Sequence, residues 1–129
     1  MSRPGAAECR RVFGWPVRGS DLVLGAGIGA AAVPRARAGQ VVENLGRQGC
    51  RAAALSVPPV VIFLAEADVL PGDLDGLPAD VRVLASGTAI PLPGAPGPAR
   101  WLVPPDPRQR WLPSLTAVLA AARVASYCR

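Results

Sequence analysis

The chain has 129 residues, half of them hydrophobic, with a net charge of +5 and no histidine. That length suits one domain with a real core, and so much apolar content excludes a disordered chain. No apolar run approaches the roughly 20 residues of a membrane span, and without histidine there is no Ser-His or Cys-His nucleophile pair, no histidine general base and no histidine metal ligand.

Residues 1–5 are expected to fray, and no continuous apolar segment follows the first charges as a secretory signal requires. Ala6 to Phe13 reads as a short helix with Cys9, Val12 and Phe13 on one face and Gly14 as its stop. Trp15-Pro16-Val17 leads into extended chain, and Asp21 to Leu24 reads as a strand. Gly25, Gly27 and Gly29 interrupt the next stretch, with a second strand of small residues from Ile28 to Val33. Pro34 suits the first turn of a helix. The segment to Gln48 carries Ala38, Val41, Val42 and Leu45 at the spacing of an amphipathic helix, with Gly49 as its end.

Cys50 to Val57 is a weak, alanine-rich strand. Val60 to Ala65 is an unbroken apolar run between Pro58-Pro59 and Pro71-Gly72. Apolar residues at both parities predict a central strand, covered on both faces, of the only sheet. The segment PGDLDGLPAD is turn-rich. Val81 to Leu84, Ala89 to Leu92 and Arg100 to Val103 read as short strands, with PGAPGP and PPDPRQ as loops. The C-terminal helix has Ser114 as N-cap and an apolar face of Trp111, Leu115, Val118, Leu119 and Ala122, with Arg123 and Arg129 near its C-terminal end. Without a repeat or a second core, the chain reads as a single domain over 1–129. Its class is α+β, with a mixed or antiparallel sheet and flanking helices.

Three constellations bear on chemistry. GAGIGA at 25–30 follows a strand-like DLVL and matches the dinucleotide fingerprint, with Glu43 lying 18 residues beyond Gly25 near the expected ribose-binding acid. Cofactor binding through Gly25, Gly27 and Gly29 needs a helix from about Ile28, and Pro34 would break it. A glycine-rich hairpin running into a strand is the preferred reading. Glu66 and Asp68 follow the central strand at i and i+2 and would share a face, as metal-binding carboxylates must, if the strand continues; Asp73 and Asp75 repeat the spacing in a turn. Every basic residue is an arginine. Those at positions 10, 11, 35, 37, 47, 51, 108 and 110 would line a phosphate-binding face if they cluster, and are otherwise a scattered, solvated set. Cys9, Cys50 and Cys128 are widely spaced and odd in number, so neither a disulfide framework nor a metal knuckle is indicated and a reducing cytoplasm is the expected compartment.

The order of short motifs resembles the prim-pol domain of bacterial bifunctional DNA primase/polymerases, particularly small actinobacterial versions, within the archaeo-eukaryotic primase superfamily. The matching pieces are Gly14-Trp15-Pro16-Val17, Asp80-Val81-Arg82, Gly87, Ala89-Ile90-Pro91-Leu92-Pro93 and Arg100-Trp101, with the VVIFL run standing where that family has the strand after its second motif. The resemblance spans most of residues 6–105 and implies a primase-polymerase-like core. In that family a carboxylate pair, a histidine on the central strand and a third acid carry catalysis with magnesium or manganese. Here the IGAAAVP strand ends without an acid and the histidine is missing; only Asp80, with Arg82 beside it, matches.

The resemblance therefore implies a catalytically degenerate domain retained as a binding or interaction module, with no cofactor. Its partners would be nucleic acid, held weakly through Arg35, Arg37 and Arg82, or another protein, and not a membrane. Three alternatives stand beside it. One is an active nucleotidyltransferase using Glu66, Asp68 and Asp80 as relocated ligands for Mg2+ or Mn2+. The second is a small nucleotide- or dinucleotide-binding protein using Gly25 to Ala30. The third is a structural partner domain without a ligand.

Overall fold

The computed structural model describes residues 5–25, 27–68, 76–94, 99–109 and 112–127. Helix α1 spans Ala6–Phe13. Strands β1 (Val17–Arg18), β2 (Asp21–Val23) and β3 (Ile28–Pro34) precede helix α2 (Arg35–Arg47). Then come β4 (Ala54–Val57), β5 (Val60–Glu66), β6 (Arg82–Val83), β7 (Ala89–Pro91), β8 (Arg100–Val103) and helix α3 (Leu115–Tyr127). The class is α+β as expected, but there are two sheets where one was anticipated. β1-β2-β7 form a small sheet and β6-β3-β5-β4-β8 a larger one, and every pairing in both is antiparallel.

The apolar run does become the central strand. β5 pairs with β3 from Ile28↔Glu66 to Pro34↔Val60, and with β4 from Ala54↔Phe63 to Val57↔Val60. Its period-two alternation divides the core. Val61, Phe63 and Ala65 join Val41 and Leu45 of α2 and Leu115, Val118 and Leu119 of α3. Ile62 and Leu64 join Cys9, Trp15, Leu22, Ile90 and Trp101 on the other side. The large sheet is thus sandwiched between a helical layer and a layer made of α1 and the small sheet. Because β3 and β4 both run antiparallel to β5, they are parallel to each other. The β3-α2-β4 crossover therefore straddles a strand that comes later in sequence.

The alanines of β3 favour a helix by intrinsic propensity. Pro34 and the flanking glycines oppose one there, and seven paired positions with β5 settle the segment as a strand. Pro34 ends that strand and occupies the N-cap of α2 rather than its first turn. It has no side-chain cap to offer, and the Arg35 N–H instead donates to the Pro59 carbonyl in the β4–β5 turn, at 3.2 Å. Gly49 ends the turn after α2 at φ 73°. α1 stops at Gly14 (φ 69°), whose N–H returns to the Arg10 carbonyl.

The expected strands at Cys50–Val57, Val81–Leu84 and Ala89–Leu92 are shorter than anticipated, since only four, two and three residues find ladder partners. Trp111, Arg110, Cys128, Arg129, Asp73, Asp75 and most of PGAPGP lie outside the described residues. Asn44 on α2 is the buried polar side chain between the helices. It donates to the Ala121 carbonyl at 3.1 Å and accepts from Gln40 at 3.0 Å. Among the described residues, no helix is long and apolar enough to cross a membrane.

Candidate functional site

One end of the large sheet gathers the glycine-rich segment, the end of β5 and the start of α3. Gly25 and Ile28 exchange two backbone hydrogen bonds of 3.1 and 3.0 Å, closing a tight turn in which Gly27 has φ 90°. Ala26 lies outside the described residues. The chain then enters β3, and the next helix begins only at Arg35. The glycines therefore do not present a helix N-terminus to a pyrophosphate, which is what the dinucleotide fingerprint requires. Gly29 has a packing reason instead: a Cβ there would sit 3.2 Å from the Ala67 Cβ and 3.3 Å from the Leu115 Cδ2.

β5 ends at Glu66, so Asp68 stands beyond the strand. Its carboxylate turns to α3, accepting from the Ser114 hydroxyl at 2.6 Å and from the Leu115 N–H at 3.1 Å. Ser114 in turn accepts from the Thr116 N–H at 3.2 Å. Two side chains thus satisfy the donors that open the helix, and negative charge sits at the positive end of its dipole. The Ser114 hydroxyl foremost, with backbone N–H groups behind it, holds the Asp68 carboxyl below the usual carboxylate range.

Asp80 lies at the other end of the sheet. Arg82 pairs with Ala32, two residues from the end of β3, whereas Glu66 pairs with Ile28 at its start. Asp80 is ion-paired with Arg37 on the first turns of α2. Six strand steps separate the two ends of β3, about 20 Å at the usual rise. Two-metal catalysis holds its ions about 4 Å apart between shared carboxylates, so Glu66, Asp68 and Asp80 do not fit a common magnesium site. Among the described residues, no group of three acids or cysteines could hold a metal ion.

Arg35, Arg37 and Arg82 do share the Asp80 end, but not one surface. Arg82 pairs with Ala32, which faces the small sheet, while Arg35 and Arg37 ride on α2 across the large sheet. Other arginines are spread out and mostly engaged. Arg10 donates to the Val17 carbonyl, Arg47 pairs with Glu43 at 3.0 Å, and Arg51 bonds the Pro104 carbonyl at 2.9 Å.

A crevice that the sequence did not suggest brings polar and aromatic groups together. The Phe13 ring stacks on Trp15 at 5.0 Å and 27°, and Trp15 meets Trp101 at 6.5 Å. Beside them, Arg51, Pro104, Pro105 and Asp106 line a shallow, partly open dent of about 20 Å3, room for little more than one water. Arg51 lies 3.7 Å from the Asp106 carboxylate, whose other oxygen accepts from the Arg108 N–H at 2.9 Å. Gln109 donates to the Arg51 carbonyl at 2.9 Å and fastens the loop to the start of β4. A second, largely apolar cleft of about 250 Å3 runs between α2 and β8, lined by Val42, Leu45, Cys50, Phe63 and Val103. The partners in the crevice come from α1, the residues before β4 and the loop after β8, far apart in sequence. The only advance signal was Trp15 so close after Phe13, and the Pro-Pro-Asp segment.

No protein-family model, curated protein or solved structure matches the chain at a significant level.

Proposed function

We propose that the chain is a divergent DNA primase/polymerase-like domain whose catalytic centre has degenerated and which acts in the cytoplasm as a binding module. The observation that carries this reading is the division of the acids. Asp68 is engaged in capping α3, and Asp80 is ion-paired with Arg37 at the opposite end of β3. Each carboxylate has a structural occupation, and neither is placed to share a metal with the other. The order of motifs, from Gly14-Trp15-Pro16-Val17 to Arg100-Trp101, supports the family reading, and the antiparallel sheet with flanking helices is compatible with it.

The test is nucleotide incorporation on a primed template by the purified chain, with magnesium and with manganese. No extension is expected with either ion. Asp80→Asn is expected to change stability by about 1 kcal/mol or less, since its carboxylate is more than half exposed. Metal-dependent extension abolished by Asp80→Asn or Asp68→Asn would establish an active nucleotidyltransferase and overturn the proposal.

A further inference from the structure

We propose that the apolar cleft between α2 and β8 is a binding site for a small, uncharged, hydrocarbon-rich molecule. Such a site goes beyond the primase-like reading and is independent of it. The cleft has about 250 Å3, and an apolar cavity of about 150 Å3 already binds benzene, so there is room for about ten non-hydrogen atoms. Half-buried Val42, Cys50 and Val103 form its walls, with Leu45 and Phe63 buried behind them. Gly46 keeps the cleft open. It lies on α2 one turn after Val42, at an exposed position where a Cβ would meet nothing within 4 Å. Its φ is not left-handed, and glycine weakens a helix relative to alanine. No backbone demand therefore explains this glycine, whereas the space left by its missing side chain adjoins the cleft.

The polar groups that border the cleft are already engaged. The Arg51 guanidinium donates to the Pro104 carbonyl at 2.9 Å and lies 3.7 Å from the Asp106 carboxylate. The Cys50 thiol sits 3.9 Å from the Gln48 carbonyl. The Leu45 and Gly46 carbonyls accept from the Cys50 and Gly49 N–H groups at 2.9 and 3.0 Å. Water in such a cleft finds few hydrogen-bond partners, and its displacement by an apolar group is favourable. A charged ligand would leave water without an unpaired counter-charge to meet. The two conditions together select a neutral, apolar occupant.

The test is calorimetric titration of the full chain with phenylbutanol, and with phenylbutyrate and phenylbutylammonium as charged analogues of the same skeleton. Saturable binding of phenylbutanol is expected, unchanged by added salt, with each charged analogue weaker by about tenfold or more. Labelling of Cys50 by a thiol reagent should slow as phenylbutanol saturates the chain, which reports occupancy of this cleft. Gly46→Leu should fill the cleft and abolish binding while keeping or raising Tm, because leucine is the better helix former. If Gly46→Leu does not fold, Cys50 protection in the wild-type chain decides alone. Absence of saturable phenylbutanol binding overturns the site, as does binding that Gly46→Leu leaves within about twofold of wild type with Cys50 labelling unslowed. Tighter binding of either charged analogue overturns the neutral class of ligand. If Cys50 labelling instead slows with protein concentration alone, and the chain sediments as a dimer that Gly46→Leu dissociates, a second copy covers the cleft and the proposal fails.

Discussion

Phe63→Ala is the substitution that most directly probes the sandwich. Phe63 has no exposed surface and sits in mid-β5, opposite Ala31 on β3 and Ala54 on β4. Those neighbours are too short to fill the space a lost ring leaves, so the cavity term is not relieved from within the sheet. Truncating a buried phenylalanine usually costs about 3–5 kcal/mol, the value depending on how far the surroundings collapse. Here Leu45 and Val103 flank both Phe63 and the apolar cleft beside it, and this gives them room to shift. The lower end, about 3 kcal/mol, is therefore expected. Against a total of about 5–15 kcal/mol this is a large fraction, and for a chain this size it lowers Tm by roughly 12 °C. Thermal and urea melts followed by circular dichroism would show it, with the urea midpoint falling and the slope unchanged. Leu102→Ala, at a site 48% exposed, serves as the control. A Tm within about 2 °C of wild type, or a loss no larger than that of the control, would refute the placement of β5 between two packed layers.

Asp68→Ala and Ser114→Ala should each cost about 0.5–2 kcal/mol as lost caps of α3, and the pair should cost less than the sum because the two side chains bond each other. The folded-state pKa of Asp68 is depressed, so its contribution is complete above the unfolded value near 3.9 and fades as pH falls through the lower folded value. The stability gap between wild type and Asp68→Ala should therefore narrow below about pH 4, and a gap that is constant to strong acid would contradict the capping role. Gly29→Val should destabilise by about 1–3 kcal/mol through contact with Ala67 and Leu115, measurable as a lower urea midpoint. Burial, with Glu8 adding to it, pushes the Cys9 thiol up to about 11. A thiol reagent at neutral pH, followed by peptide mass mapping, should modify half-buried Cys50 while leaving Cys9 unmodified in the native chain. Equal labelling of the two would show that the α1 layer opens readily.

Local signals carried much of the fold. The bounds of α1 followed from Gly14, and those of α2 from Pro34, Gly49 and the stripe of Ala38, Val41 and Leu45. The apolar run at 60–65 announced a strand with both faces covered. The second sheet was not legible, because Val17–Arg18, Asp21–Val23 and Ala89–Pro91 are too short to carry a period. Their pairing joins residues about 70 positions apart, such as Leu22 with Ile90. The candidate acids were legible as residues but not as a site. Spacing placed Glu66 and Asp68 near each other, yet only the tertiary structure shows that Asp68 belongs to α3 and that Asp80 stands at the far end of β3. The aromatic crevice escaped notice for the same reason, since its walls come from three separate segments.

The insertion of β5 between β3 and β4 also orders the molecule by hydrogen-exchange protection. Residues 60–63 lie between paired strands on both sides, and no fluctuation can release their amides while those neighbours stay in place. They should exchange only through global unfolding. β6 and β8 are the edges, with two and four residues, and should open locally at lower free energy. The Pro104–Gln109 loop hangs from β8, so one wall of the Phe13 crevice is attached to a part of the sheet that can breathe. The opposite wall, Trp15, is packed against the protected interior. Such a crevice can widen and close again while the slowest-exchanging amides remain protected.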